Sequence, residues 1–99
     1  MLGDTTRIRA LAADLRERAE DIRALAGRLA VSADQVPWEG LAADAMRAAV
    51  RHRAAALRRT ALLHEDAAEA LDRHAGRVDH VKGLAGDAVG SLLDAVGIG

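Results

Sequence analysis

The chain has 99 residues, of which 51% are hydrophobic, yet Trp38 is its one aromatic residue of the Phe, Trp or Tyr type. Much of the hydrophobic content is alanine, and this composition excludes an all-β sandwich or barrel and favours helices. The net charge of −1 gives no bulk reason to bind nucleic acid, and the lack of cysteine excludes disulfides and thiolate sites.

The first predicted helix begins near Asp4 and Thr5, whose side-chain oxygens can cap the free amides of a first turn. Apolar residues then recur at steps of three, four and seven, which predicts an amphipathic helix of roughly 27 residues. The stripe is interrupted where Arg18 and Ala19 stand in an expected apolar position. Its members are Ile8, Leu11, Leu15, Ile22, Leu25 and Leu29.

A break is predicted from Val31 to Gly40. Pro37 cannot continue a helix, and Gly40 permits backbone angles that other residues avoid. The first helix is therefore expected to end near Val31.

A second helical pattern begins at about Leu41 and runs for about 42 residues. Ala49, Ala67 and Ala70 fill intermediate positions, and such an alanine-rich stripe favours close packing of another helix. After Gly83 the chain becomes glycine-punctuated. We therefore predict a hairpin over residues 1–83 and a frayed or weakly helical tail over residues 84–99.

The predicted fold class is all-α, an antiparallel helical hairpin. Two helices alone leave apolar surface open, so we expect two hairpins to dimerise into a four-helix bundle, as a homodimer or a heterodimer. The residues predicted for packing and partner binding are Leu11, Leu15, Ile22, Leu25, Leu29, Met46, Val50, Leu57, Leu71 and Val78.

Trp38, Glu39 and Gly40 lie in the break between two long helices of a chain of about one hundred residues. This arrangement resembles the Trp-X-Gly (WXG) family, the ESAT-like small substrates of type VII secretion in actinobacteria and firmicutes. The small residues after Gly40, Ala42 and Ala43 among them, are similar to those of family members. The resemblance implies a dimer of hairpins that is exported folded by an ATPase-driven membrane machine.

One feature departs from that family. Many of its systems carry a Tyr-x-x-x-Asp/Glu export signal after the second helix of one partner, and this chain has no tyrosine. The resemblance therefore implies that a partner chain supplies the signal or that this chain does not direct export. Localisation is expected to be extracellular or at the cell surface, from a cytoplasmic pool, by a route that needs no signal peptide. No stable membrane insertion is expected, because no apolar run is long enough.

The sequence offers few residues in arrangements that are typical of catalysis. The four histidines, His52, His64, His74 and His80, form no HxxxH or HExxH pair, and neither serine lies in a G-x-S-x-G setting. We expect no enzyme, no catalytic residue, no cofactor and no metal site. Two of the histidines, His64 and His74, lie close to the apolar stripe and are expected at an interface or core edge.

Two alternative functions stay open. The first is a helical protein that binds nucleic acid through the basic block from Arg47 to Arg59, although no aromatic residue is interleaved for base stacking. The acidic cluster downstream, which includes Glu65 and Asp72, makes an antiparallel partner segment the more economical explanation of those charges. The second is a detached amino-terminal targeting module of a polymorphic toxin.

Overall fold

The computed structural model describes residues 5–97 as an antiparallel hairpin of two helices, α1 (Thr5–Asp34) and α2 (Leu41–Ala95). The predicted all-helical hairpin is confirmed. Helix α2 has 55 residues, and at about 1.5 Å per residue it spans nearly the whole 85 Å length of the molecule. The predicted Asp4 cap lies outside the described residues, as do the rest of residues 1–4 and residues 98–99.

Helix α1 is longer than the sequence pattern predicts. Residues 31–34, which we assigned to the break, continue the helix, and the Gln35 N–H still donates to the Val31 carbonyl at 3.1 Å. The physical reason is local, because Pro37 restricts only the residue before it and the carbonyls up to four residues back. The prediction that the helix stops at Val31 is therefore wrong by one turn.

The contact between the helices is made by alanine. Every buried hydrophobic residue among those described is an alanine, and none is more than 5% exposed. The buried alanines of α1, and those of α2 apart from Ala43, recur every seven residues, so they form one straight line along each helix. We call this line the alanine seam: Ala12, Ala19, Ala26 and Ala33 of α1, with Ala54, Ala61, Ala68 and Ala75 of α2.

The seam corrects two expectations from the sequence. Ala19, which seemed to interrupt the leucine stripe, is fully buried in the seam. Ala49, Ala67 and Ala70, which we expected in the contact between helices, are exposed. A methyl side chain lets two helix backbones approach closely, so a seam of alanines stabilises the hairpin through dispersion contacts over its length rather than through a few large side chains.

Three ion pairs across the helices fix the register. Arg9 contacts Asp79 at 2.7 Å, Arg16 contacts Asp72 at 2.6 Å and Arg23 contacts Glu65 at 2.6 Å. Each step of seven residues forward in α1 matches seven residues back in α2. The same register brings the seam alanines level with one another, Ala12 with Ala75 at one end and Ala33 with Ala54 at the other.

Helix α2 extends beyond its partner. Thr5 begins α1 and hydrogen-bonds to Asp79, so the paired part of α2 ends near Lys82. Helix α2 then continues without interruption through residues 83–95, which we call the α2 overhang. All of its residues are exposed. None of the helices in the described part of the chain combines the length and apolar character needed to cross a membrane.

Candidate recognition sites at the tip and on the apolar face

Residues 35–40 form the tip of the hairpin and carry the Trp-Glu-Gly sequence. The Trp38 side chain is 47% exposed, and Leu41, the first residue of α2, is 89% exposed. Glu39 is also exposed. Two large apolar side chains are therefore open to solvent here: Trp38, the first residue of the predicted signature Trp38, Glu39 and Gly40, and Leu41, which directly follows it.

Gly40 turns the chain into α2. Its φ of 108° lies in the left-handed region, which glycine adopts without strain. Its carbonyl accepts the first helical hydrogen bond, from the Asp44 N–H at 3.0 Å. No side chain caps this helix start, and the Asp44 carboxylate in the first turn is the acidic group that favours the positive end of the helix dipole.

The side chain of Arg47 hydrogen-bonds to the main chain of the tip. Its guanidinium donates to three main-chain carbonyls, those of Ala33 at 3.3 Å, Val36 at 2.9 Å and Trp38 at 2.8 Å. The side chain is 18% exposed and also lies 3.6 Å from the Asp44 carboxylate. One cation thus joins the last turn of α1, the loop and the start of α2. The sequence placed Arg47 in the basic block and gave no sign of this role.

The hairpin has two different faces. Residues three positions after a seam alanine and residues four positions after it lie on opposite sides of the seam, since a helix has 3.6 residues per turn. Because the helices are antiparallel, the three-after residues of both helices share one face and the four-after residues share the other. The four-after residues include the three ion pairs of Arg9, Arg16 and Arg23.

The three-after residues are aliphatic apart from His64, and we call their side of the hairpin the apolar face. Its inner rows are half-buried. Its flanks are more open, with Leu11 51% and Leu25 47% exposed. All the residues predicted for packing and partner binding lie here: Leu11, Leu15, Ile22, Leu25 and Leu29 of α1, with Met46, Val50, Leu57, Leu71 and Val78 of α2.

A shallow groove on this face is lined by residues of both helices. Leu29 of α1 and Leu57 of α2 line it together with Arg53, Ala56 and Thr60. His64 lies in the row of Leu57, one heptad further on, and one of its ring nitrogens is 2.8 Å from the Thr60 carbonyl. That carbonyl can only accept, so Nδ1 is the donor in this contact.

The opposite face carries charged side chains, which form ion pairs between α1 and α2. The hydrogen bond from Arg23 lowers the pKa of Glu65, and hydrogen bonds from Arg9 and then Thr5 lower the pKa of Asp79. Glu65 and Asp72 of the acidic cluster therefore pair with cations of α1, whereas the sequence suggested pairing with the basic block of an antiparallel partner.

The basic block does not form one cationic surface. Arg47 is committed to the tip, Arg51 lies 3.9 Å from Asp34, and Arg53 lines the groove of the apolar face. Arg58 and Arg59 are exposed. The cations therefore project in several directions around α2, which weakens the nucleic-acid alternative because phosphate contacts need a contiguous stripe.

The histidines do not converge. Within residues 5–97, no group of three or more His, Asp or Glu side chains is placed to hold a metal ion. His52, His74 and His80 are exposed along α2, and His64 is half-buried on the apolar face.

The sequence of the hairpin matches a known protein family. The sequence profile of the T7SS secretion signal domain matches residues 1–96. No curated protein and no solved structure matches the chain significantly. The match supports a type VII secretion substrate or a related module and suggests contact with the secretion machinery and export without a signal peptide. The chain belongs to the T7SS secretion signal domain family.

Proposed function

We propose that this chain is a type VII secretion substrate of the WXG, ESAT-like kind, which acts by helix packing as an effector subunit, adaptor or chaperone for another exported chain. The observation that carries the proposal is the family match over residues 1–96. The tip sequence Trp38-Glu39-Gly40 between two long helices supports the finer assignment.

The apolar face is the surface that docks a second helical hairpin. Its rows run along both helices beside the seam, and α1 and α2 leave them half-buried. Covering aliphatic side chains stabilises an assembly by about 25 cal/mol for each Å² removed from water. A second hairpin laid along this face would complete a four-helix bundle, with the ion-pair face turned to solvent.

The tip is the second recognition surface. Trp38 offers a large apolar ring with a polar N–H, a combination enriched at binding hot spots. Arg47 fixes the Trp38 main chain, so the ring is presented from a rigid support at the end of the rod. We assign this surface to the secretion machinery.

Export from cells tests the function. The tagged chain is expressed in a bacterium with a working type VII system and in the same strain with an inactive translocation ATPase. The chain should reach the medium or cell surface in the first strain alone, and Trp38→Ala should reduce that release at least several-fold. Leu63→Ala, which removes a large side chain that is 65% exposed elsewhere on α2, is the matched control.

Two results would overturn the proposal: release that does not depend on the ATPase, or retention of the chain in both strains. Equal release of the Trp38→Ala and Leu63→Ala variants would contradict the assignment of the tip. Circular dichroism of each variant shows that the helices are intact.

A targeting module of a larger toxin is the second candidate. The matched family is described as a secretion signal domain, which favours a portable module. Under this alternative, the chain fused ahead of a folded reporter should direct ATPase-dependent export of the reporter, whereas an autonomous subunit should leave it in the cell.

A further inference from the structure

We infer that the apolar face docks a hairpin that carries carboxylates opposite Arg18 and Arg53, and that it discriminates against a second copy of this chain. This partner chemistry rests on the proposed function, in which the face docks a second helical hairpin. The charges that interrupt the aliphatic rows of the face define it.

The ionisable side chains of the apolar face are all basic. Two rows of each helix make up the face, one three positions after a seam position and one directly before it. In the described residues of α1 and α2 these rows contain no Asp or Glu, although the chain has 15 acidic residues against 14 Lys and Arg. Their ionisable members are Arg18, Arg53, His64 and His74.

Arg18 lies in the middle of the aliphatic rows of α1. Leu11 and Leu25 lie seven residues to either side of it in the same row. Among the described residues, the Arg18 guanidinium forms no ion pair. The nearest acidic positions, Asp14 and Asp21, are exposed in the next row outward. A hairpin that covers both leucines also covers the guanidinium between them.

Arg53 has the corresponding place on α2. It lines the shallow groove together with Leu29 and Leu57. It too forms no ion pair with any residue that the structure describes. Covering a guanidinium with no carboxylate opposite is unfavourable, because the cation loses water without gaining a partner. A docked hairpin that supplies carboxylates at these two points removes this penalty.

The spacing of the two cations predicts where the partner carries its carboxylates. Ala19 comes level with Ala68 in the register of the ion pairs, so Arg18 and Arg53 lie about 16 residues of helix apart, roughly 24 Å along the rod. In a four-helix bundle of two hairpins, α1 faces one helix of the partner and α2 faces the other. We therefore expect one carboxylate on each partner helix at this separation.

A second copy does not carry these carboxylates on its own apolar face. In a two-fold dimer each chain uses the same surface. Packing one apolar face against another would therefore bring together rows whose ionisable side chains are all basic. This result holds in any register, because it depends only on the residue types in the rows. Unpaired like charges of this kind discriminate against the wrong partner.

A charge-reversed copy of this chain serves as the probe. Arg18→Glu combined with Arg53→Glu keeps the shape of the hairpin and places carboxylates on its apolar face. Sedimentation equilibrium is measured for the wild type, for the variant and for their equimolar mixture. The mixture should associate at least several-fold more tightly than either chain alone, and high salt should weaken that association.

Arg58→Glu combined with Arg59→Glu is the matched control. It makes the same change in charge at two exposed positions outside the rows of the apolar face. Its mixture with the wild type should show no gain in association. Circular dichroism shows that both variants are folded. A mixture of wild type and charge-reversed copy that associates no more tightly than the wild type alone, or an equal gain with the control, would overturn the inference.

Leu57→Asp distinguishes failure of this inference from failure of the proposed function. A tight dimer of the wild type that Leu57→Asp abolishes would leave the apolar face as an interface and overturn the charge selection alone. An association of the mixture that survives Leu57→Asp in both chains would place the contact elsewhere and overturn the inference as well. Neither result affects the ATPase dependence that the export assay measures.

Discussion

The guanidinium of Arg47 donates to the main-chain carbonyl of Trp38 at 2.8 Å, so a helix side chain holds the residue that the tip presents. Arg47 stands seven residues before Ala54, at the next position of the alanine seam. An alanine at position 47 would let the two helices pack closely, whereas the long side chain of Arg47 extends into the loop. The seam therefore ends in a clamp, and the conformation of the tip depends on the same heptad pattern that holds the helices together.

Replacing Arg47 by Met should loosen the tip. The variant removes charge-assisted hydrogen bonds to three carbonyls, and we expect a loss of about 1–3 kcal/mol in the free energy of unfolding. Trp38 is the chain's one Trp, with no Tyr beside it, so the steady-state fluorescence anisotropy reports the tip directly. The anisotropy should fall.

Arg51→Met is the matched control. Arg51 lies one turn further along α2, its side chain is 64% exposed, and it approaches Asp34 only at 3.9 Å. Removing such a surface pair is expected to change stability by less than about 1 kcal/mol and to leave the anisotropy unchanged. Equal effects of the two variants would refute the clamp.

Substituting two glycines by alanine should have opposite effects. Gly40→Ala puts a Cβ at φ 108°, which is strained whatever the surrounding space, so stability should fall by about 1 kcal/mol or more. Gly76→Ala lies within α2 where a Cβ has nothing within 4 Å, so stability should rise by about 0.5–1 kcal/mol. Urea unfolding followed by circular dichroism measures both, and two changes of the same sign would contradict this account.

Enlarging a seam alanine should separate the helices. Ala19→Leu introduces three carbon atoms at a fully buried position, and overpacking there is expected to cost about 1–3 kcal/mol or more. Ala24→Leu makes the same change at an exposed position of the same helix and should be nearly neutral. The midpoint of thermal unfolding compares the two. If both variants had the same midpoint of thermal unfolding, the alanine seam could not be the contact between the helices.

Stability should fall on acidification. The folded-state pKa values of Glu65 and Asp79 are lowered by Arg23 and Arg9, so the unfolded chain takes up protons first. The stabilisation is present above the unfolded pKa values and is lost as the pH falls through the folded ones, from about pH 5 downward. Unfolding midpoints between pH 7 and pH 3 measure this loss, and Glu65→Gln should make the profile shallower. Both carboxylates are solvent-exposed, so high salt should weaken the effect as well.

Part of this structure could be read from the sequence and part could not. The leucine and isoleucine spacing predicts two helices and the residues of the apolar face, because large side chains dominate a hydrophobic pattern. The alanine seam was not predicted, since alanine contributes little to a hydrophobic pattern. Its signal was the strict seven-residue recurrence in both helices, from Ala12 and from Ala54.

The tip could be predicted only in outline. Pro37 and Gly40 indicate a turn, but the role of Arg47 depends on which carbonyls the loop turns inward, and sequence spacing does not contain that information. The end of the paired region near residue 83 is visible as a change in glycine content. For the residues that follow, the sequence predicts a frayed or weakly helical tail, because glycines lower helix propensity; in the structure, α2 continues to Ala95.

The central claim is that the apolar face is an interface, and the mass of the assembly in solution tests it most directly. Light scattering measures this mass. The chain is examined alone and co-expressed with the product of the adjacent reading frame. We predict a dimer or larger assembly in at least one case, its loss with Leu57→Asp, and its retention with Leu63→Asp on a different face of α2. A well-folded monomer in both cases, or an assembly that survives Leu57→Asp, would contradict the account.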